Sequence, residues 1–337
     1  MSVFPELEKS NWQKMILPYT VPSLRLSIWQ ILNTLVPYIL LWVLMYWSLQ
    51  ISYWLTLLLA IPASGFLVRT FILFHDCCHG SFFKSRRANE ILGFILGVLT
   101  LTPFDHWRHD HAVHHASAGN LDKRGVGDVY TMTIDEYLAA PRWKRLGYRI
   151  MRNPLFLFTI GSTFVFLFSH RLWAPRAGRP ERLSVVYTDL ALLLLITLLS
   201  MVFGLEQFFL IFLPVHILGS AVGVWMFYVQ HQFEGVYWEH KDRWSFVRAG
   251  LLGSSFYKLP AVLQWFSGNI GFHHIHHLSP KIPNYFLPTC HKENPSFQIK
   301  PLTLLSSLKS TRLHLWDERS QQLVGFNVLH EYQQQSV

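Results

Sequence analysis

Four stretches of this chain run without a charged side chain: 28–47, 51–68, 190–205 and 207–230. A helix needs about 20 largely apolar residues to cross about 30 Å of hydrocarbon. In lipid its backbone must also close every hydrogen bond internally. The joins are short and lack Lys and Arg: Ser48-Leu49-Gln50 in the first pair, Glu206 in the second. Two helical hairpins are therefore expected, with spans at about 28–48, 51–74, 186–205 and 207–230. Composition agrees, at 51% hydrophobic and only 15% charged residues, which excludes both a disordered chain and an ordinary soluble domain. The fold class is an all-α polytopic membrane protein, read as one integral-membrane domain over residues 1–337.

Two shorter apolar pieces need a different account. Residues 91–103 would reach only about 20 Å as a helix, so they are expected to dip in and return or to lie in the interface. Residues 155–169 are flanked by Arg142, Lys144, Arg145, Arg149 and Arg152 on one side and by Arg171, Arg176, Arg179 and Arg182 on the other. With basic residues at both ends, this segment should lie on or re-enter the membrane. The same rule places residues 75–185 and 231–337 in a cytoplasmic cap, with both termini on that side of a plasma membrane. The leucines of residues 303–326, at roughly helical spacing, are assigned to the cap. The first 20 residues hold Glu6, Glu8, Lys9 and Lys14 and no sustained apolar core, so no signal peptide is expected. Cys77, Cys78 and Cys290 form no CxxC pair, which suits a reducing compartment.

Histidine is the second constraint, with 18 in the chain. His75 and His79 stand four apart directly after the second span, so both rings can aim at one point. His111, His114 and His115 stand at i, i+3 and i+4, and His273, His276 and His277 repeat that spacing. His231 closes the last span. Counting crossings puts all of these at one face of the membrane, an agreement the spacing itself did not require. Imidazole is a common metal ligand, and eight or nine exceed the four that one zinc takes. They suit two metals with four or five ligands each. Fe, Zn, Cu and Ni all accept imidazole, but attack on an unactivated C–H bond beside hydrocarbon calls for oxygen chemistry at iron.

His106, His109 and His274 fall outside the shared spacing and are read as structural. His216, within the last span, is either an ionisable group with a functional role or a neutral imidazole hydrogen-bonded between helices. Asp76, Asp110 and Glu234 could each orient a ligand ring or be ordinary surface acids. Cys77 and Cys78 are expected to be buried neutral thiols, and Arg69 to snorkel or pair.

The HxxxH, HxxHH and HxxHH series, in this order at the ends of hairpins, resembles the membrane fatty acid desaturases. Asn120-Leu121-Asp122-Lys123-Arg124-Gly125, Gly253-Ser254-Ser255-Phe256-Tyr257-Lys258-Leu259-Pro260, Gln264-Trp265-Phe266-Ser267-Gly268-Asn269-Ile270-Gly271 and His277-Leu278-Ser279-Pro280-Lys281-Ile282-Pro283-Asn284-Tyr285 are similar to the bacterial acyl-lipid branch, and within it to the Δ5-type phospholipid desaturases of bacilli. The resemblance implies a non-haem diiron centre held by His75, His79, His111, His114, His115, His273, His276 and His277, with His231 as an additional ligand. It implies O2 as co-substrate, membrane-lipid acyl chains as substrate in a narrow apolar tunnel, and a cis double bond plus water as products. No haem-binding HPGG motif is present, so electrons are expected from a ferredoxin or flavodoxin-type donor. The net charge of +9 suits such an acidic partner, anionic lipid headgroups, or both; no nucleic-acid partner is expected, and oligomeric state is not legible. A Δ12 or other regiospecificity, or a hydroxylase or ketolase on the same scaffold, would carry the same histidines. A metal transporter is disfavoured because transport sites lie near the bilayer midplane. A zinc hydrolase is disfavoured by the lack of an HExxH carboxylate in these clusters.

Overall fold

The computed structural model describes residues 11–334. Of the first 20 residues, on which the signal-peptide reading rests, 1–10 fall outside these, as do the two terminal ends. The long helices are α1 (Leu24–Ser48), α2 (Tyr53–His79), α3 (Arg86–Leu99), α4 (Phe104–Ser117), α5 (Arg142–Met151), α6 (Arg179–Phe203) and α7 (Leu205–His231), followed by the short α8 (His273–Leu278). Four of them, α1, α2, α6 and α7, are long and apolar enough to cross a membrane.

These helices outrun their apolar stretches. The second span, expected to stop near residue 74, continues to His79, and the third starts at Arg179 rather than near 186. The reason is length. The 27 residues of α2 reach about 40 Å at 1.5 Å per residue, some 10 Å more than the hydrocarbon needs. The first histidine pair therefore sits within α2, on the part that emerges from the bilayer, and not in a segment after it. The second hairpin turns at Gly204, whose positive φ (+90°) lets α6 and α7 meet with one residue between them; Glu206 lies inside the first turn of α7. In the first hairpin the Ser48 and Thr56 hydroxyls bond across the turn at 2.7 Å.

α2 and α7 pack together at the centre, where Tyr38, Met45, Ala60, Ala63, Leu67, Ile211 and Val215 form one buried cluster. A Cβ on Gly219 of α7 would stand 2.8 Å from the Leu67 Cδ2 of α2, so the Leu67 side chain packs directly on the α7 backbone. α1 and α6 flank them and turn Leu32, Val36, Ile39, Leu193, Leu194 and Leu198 outward. That outward apolar face is what lipid solvates.

The short segment 91–103 forms most of α3, which packs Gly93, Leu96 and Gly97 inward and leaves Ile91 and Ile95 exposed. The chain then reverses at Leu101 (φ +58°) into α4. Residues 155–169 fall in a pair of helical pieces, Arg142–Met151 and Phe156–Arg171, bent by 71°. The leucine spacing of residues 303–326 is not a helix over its length. Four three-residue strands, β1 (Phe256–Lys258), β2 (Pro301–Thr303), β3 (Leu315–Asp317) and β4 (Gln322–Val324), pair as parallel β1–β2 and antiparallel β3–β4 within the cap. Leu304–Ser307 and Leu308–Arg312 form two short helical turns with Leu304, Leu305 and Leu308 exposed, whereas Leu315 and Leu323 are buried on β3 and β4, so the helical spacing holds only in the first part of the segment.

A charge on the outer face of α6 tests the lipid assignment. Leu194→Lys should cost about 2.5–3.5 kcal/mol of insertion free energy, and Leu194→Met close to none. The fraction recovered in membranes after expression reads this directly.

Candidate metal centre

Each histidine is placed by a local device. α2 ends at Gly80, in the left-handed region (φ +62°), whose N–H bonds the Cys77 carbonyl at 3.0 Å; His75 and His79 thus lie on the last two turns. α4 carries His111, His114 and His115, and His231 is the last residue of α7. α8 starts at His273, two residues after Gly271, whose carbonyl accepts the Tyr257 N–H at 2.7 Å. A Cβ on Gly271 would lie 2.3 Å from the Tyr257 carbonyl oxygen, a backbone atom that cannot give way. Glycine is required there for the third histidine run to reach the others.

Nine imidazoles meet, in two groups. His75, His79, His111, His115 and His276 each bring one ring nitrogen within 4.8 Å of the others, and His114, His231, His273 and His277 do the same. Every i, i+4 pair stays in one group: His75 with His79, His111 with His115, His273 with His277. The i+3 residues, His114 and His276, go to the opposite group from the rest of their own run. Positions i+3 and i+4 point about 100° apart around a helix, so the spacing read as one converging face instead serves two adjoining centres. Where the groups touch, the His115 and His277 rings stack at 4.1 Å.

The donor set fits metal ions. Within the groups, Nε2 atoms face one another: His111 to His115 at 3.1 Å, His115 to His276 at 3.0 Å, His114 to His231 at 3.1 Å, His231 to His273 at 2.9 Å and His273 to His277 at 3.1 Å. His79 Nε2 is buried with no partner at all. A metal about 2.1 Å from each nitrogen would set neighbouring octahedral donors about 3.0 Å apart and tetrahedral ones about 3.4 Å apart. The five short spacings are those of nitrogens that could share one ion. Burial first, and neighbouring imidazoles second, hold His111, His114, His115, His273, His276 and His277 well below the usual histidine range. These six rings are neutral, the form that binds a metal.

Behind the rings stands an ordered polar shell. Asp76 is buried; its Oδ1 lies 3.3 Å from His75 Nδ1, and its Oδ2 accepts from the Asn284 backbone N–H (2.7 Å) and Nδ2 (2.9 Å). Asn284 in turn exchanges two bonds with Gln30 of α1, at 2.7 and 3.1 Å. Asp76 therefore fixes the tautomer of His75 and ties α2 to the chain beyond α8. His231 Nδ1 faces the Gly253 carbonyl at 3.3 Å. Beside it, buried Arg152 donates to Gln232 Oε1 at 3.0 Å and to the Leu313 carbonyl at 2.9 Å, with no carboxylate partner among the described residues. On the other flank Trp107 stacks on His111 at 4.2 Å, and Phe71 and Phe74 pack on Trp107 at 5.4 and 5.3 Å. A cavity of about 20 Å³ separates His114 and His231 from Asn120, Arg124 and Asp128, room for about one water.

The other candidates lie elsewhere. His106 faces Asp110 at 3.7 Å and exposed His109 faces Glu181 at 3.6 Å. His274 pairs with His291 at 3.3 Å, away from both groups. His216 sits between the Phe212 and Leu99 carbonyls at 2.9 and 3.4 Å. Glu234 is exposed past the end of α7 and does not join the site. Cys77 and Cys78 are buried free thiols outside both groups. Arg69 neither snorkels out nor meets a carboxylate among the described residues: it is buried over the Trp265 ring at 4.1 Å and donates to Thr34 at 3.0 Å and to the Trp265 carbonyl. Gln30, Asn284, Arg152 and Gln232 were not singled out from sequence. The polar Gln30, with Asn33 and Thr34, within an uncharged span was the available signal.

The chain matches the fatty acid desaturase family model over residues 51–300. It is 48% identical over 317 residues to a fatty acid desaturase of Bacillus subtilis, covering 94% of this chain and 90% of that protein. It is 28% identical over 249 residues to an sn-1 oleoyl-lipid 12-desaturase of Anabaena variabilis (72% and 69% covered), and 30% identical over 240 residues to one of Synechocystis (68% and 66%). This chain belongs to the fatty acid desaturase family. It is accordingly a membrane oxidoreductase acting on lipid acyl chains, with histidine clusters suited to metal.

Two outcomes follow from the geometry. Gly271→Ala should destabilise the protein by about 1–3 kcal/mol through overpacking, seen as a lower melting temperature in detergent. Metal-free protein should lose stability as pH falls below about 6.5, because the unfolded chain then takes up protons that the buried rings refuse. A pH series of melting curves reads that slope, and a flat profile from pH 7.5 to 5 contradicts it.

Proposed function

We propose that this protein is an O2-dependent acyl-lipid desaturase of the plasma membrane, one domain over residues 1–337, that forms a cis double bond at the Δ5 position of saturated phospholipid chains. His75, His79, His111, His115 and His276 would hold one iron, and His114, His231, His273 and His277 the other. The observation that carries this reading is the five-and-four grouping of nine imidazoles, fed by every histidine run and by His231. A bound iron pair supplies the oxygen activation and hydrogen removal that no side chain can perform. Overall, O2, two electrons and two protons enter with –CH2–CH2–, and –CH=CH– leaves with two waters.

The chain's own residues divide the remaining work. Asp76 and the Gly253 carbonyl hold the His75 and His231 rings with one nitrogen turned inward. Trp107, Phe71 and Phe74 pack as an apolar layer beside His111, and the acyl chain would approach from that side. An acyl chain offers no polar handle, so depth and bend must select the methylenes. The small cavity by Asn120, Arg124 and Asp128 gives the opposite, polar side a place for water. The flanking Lys and Arg favour a cytoplasmic active face, where a small acidic ferredoxin or flavodoxin-type protein would deliver electrons. Δ5 selectivity rests on the likeness to bacillar acyl-lipid desaturases; Δ12 is the second reading, on the strength of the cyanobacterial relatives.

Expression in a bacterium devoid of desaturases, with mass spectrometry locating the new alkene, separates these readings. A Δ5 alkene in phospholipid is expected; a Δ12 alkene or a hydroxylated chain overturns the assignment. In the same host His111→Ala and His114→Ala, one from each group, should each abolish the product while membrane yield is kept. Asp76→Ala should lower activity about 10- to 100-fold, as loss of a ligand's hydrogen-bond partner does.

A further inference from the structure

Helix α5 presents an unusual combination of faces. Tyr148 on its back is buried, accepting the Met132 N–H at 3.1 Å and donating to the His314 carbonyl, which fixes the helix to the cap. On its front Trp143, Leu146 and Ile150 repeat at i, i+3 and i+7 and are 76%, 61% and 46% exposed. Arg142, Arg145 and Arg149 repeat at the same interval on the adjoining stripe.

These arginines line an open groove of about 290 Å³, whose other wall is Leu138, Phe326 and Leu329. No acidic side chain lines it. Arg149 is held in place, its Nε bonded to the Tyr137 hydroxyl at 2.6 Å and its guanidinium 4.5 Å over Phe326. Arg142 and Arg145 make no ion pair among the described residues. Beyond α5 the chain bends by 71° into the apolar segment that exposes Leu155, Ile160 and Phe164, so the groove borders the lipid-facing surface.

We infer that this groove binds the phosphate of an anionic phospholipid, whose glycerol and upper acyl chains lie along Trp143, Leu146 and Ile150. Arginine matches phosphate oxygens with paired N–H donors. A helix with an apolar stripe beside a basic one is the pattern of an element lying in a charged membrane surface. An acidic electron donor would satisfy the arginines only. While that donor was away, a tryptophan and two aliphatic side chains would face water. Anionic lipid satisfies both stripes at all times. The inference rests on the membrane placement of the chain and not on the iron or Δ5 assignments.

Full-length protein purified from nanodiscs with equal phosphatidylglycerol and phosphatidylcholine, analysed by native mass spectrometry, provides the test. Wild type should retain phosphatidylglycerol in preference. Each basic residue at an anionic surface contributes about fivefold in affinity, so Arg142→Gln with Arg145→Gln should weaken retention about 30-fold. Trp143→Ser with Leu146→Ser should also weaken it, with the charges intact. Arg142→Lys with Arg145→Lys serves where the Gln pair lowers the melting temperature, and should keep part of the preference. Equal retention of the two lipids by wild type overturns the inference. So does displacement of the lipid by millimolar inorganic phosphate, which would mark a free-anion site. Loss of flavodoxin binding in the Gln pair with lipid retention unchanged would assign the groove to a protein partner instead.

Discussion

Nine buried ring nitrogens that point at one another cannot be satisfied by protons. A neutral imidazole has one donor and one acceptor. His115 Nε2 faces two other Nε2 atoms, and its Nδ1 is buried without a partner. Charging the rings is opposed by burial and by each neighbour. Metal ions remove the conflict, since each takes a lone pair from every ring around it. Much of the architecture can be understood as what brings those lone pairs together: helices longer than the bilayer requires, a left-handed glycine ending α2, and a glycine before α8 that lets its backbone pass Tyr257.

The site divides into a dry side and a polar side. Trp107 and its phenylalanine neighbours cover the five-histidine group, continuous with the lipid-facing helices. Around the four-histidine group, Arg152, Gln232, Thr131 and the Tyr228 hydroxyl form a buried network, and a water-sized cavity adjoins His114. The apolar flank and the polar flank thus lie against different histidine groups. The same opposition recurs along α5, where apolar and basic stripes run side by side.

Spans and histidine runs were legible because they depend on local properties, apolar length and periodicity. Their limits were less so: hydropathy reports where lipid ends, whereas α2 and α6 continue beyond it on backbone hydrogen bonds. Two metals with four or five ligands each were expected, but which histidine joins which group was hidden for a related reason. Spacings of three and four both read as one face, yet His114 and His115 turn to different centres once three helices converge. The Gln30–Asn284–Asp76 bridge joins residues more than 200 positions apart, and no local pattern announces it. The leucines of residues 303–326 are a mixed case: the helical rhythm holds over Leu304–Ser307 and Leu308–Arg312 and then gives way to the short strands β3 and β4.

The most direct test of two adjoining histidine-held centres is iron per chain in purified protein that still forms double bonds, determined by elemental mass spectrometry with Mössbauer spectroscopy. Two irons per chain, both in nitrogen-rich high-spin environments, are predicted. Full activity with one iron, with none, or with zinc in their place would contradict the account.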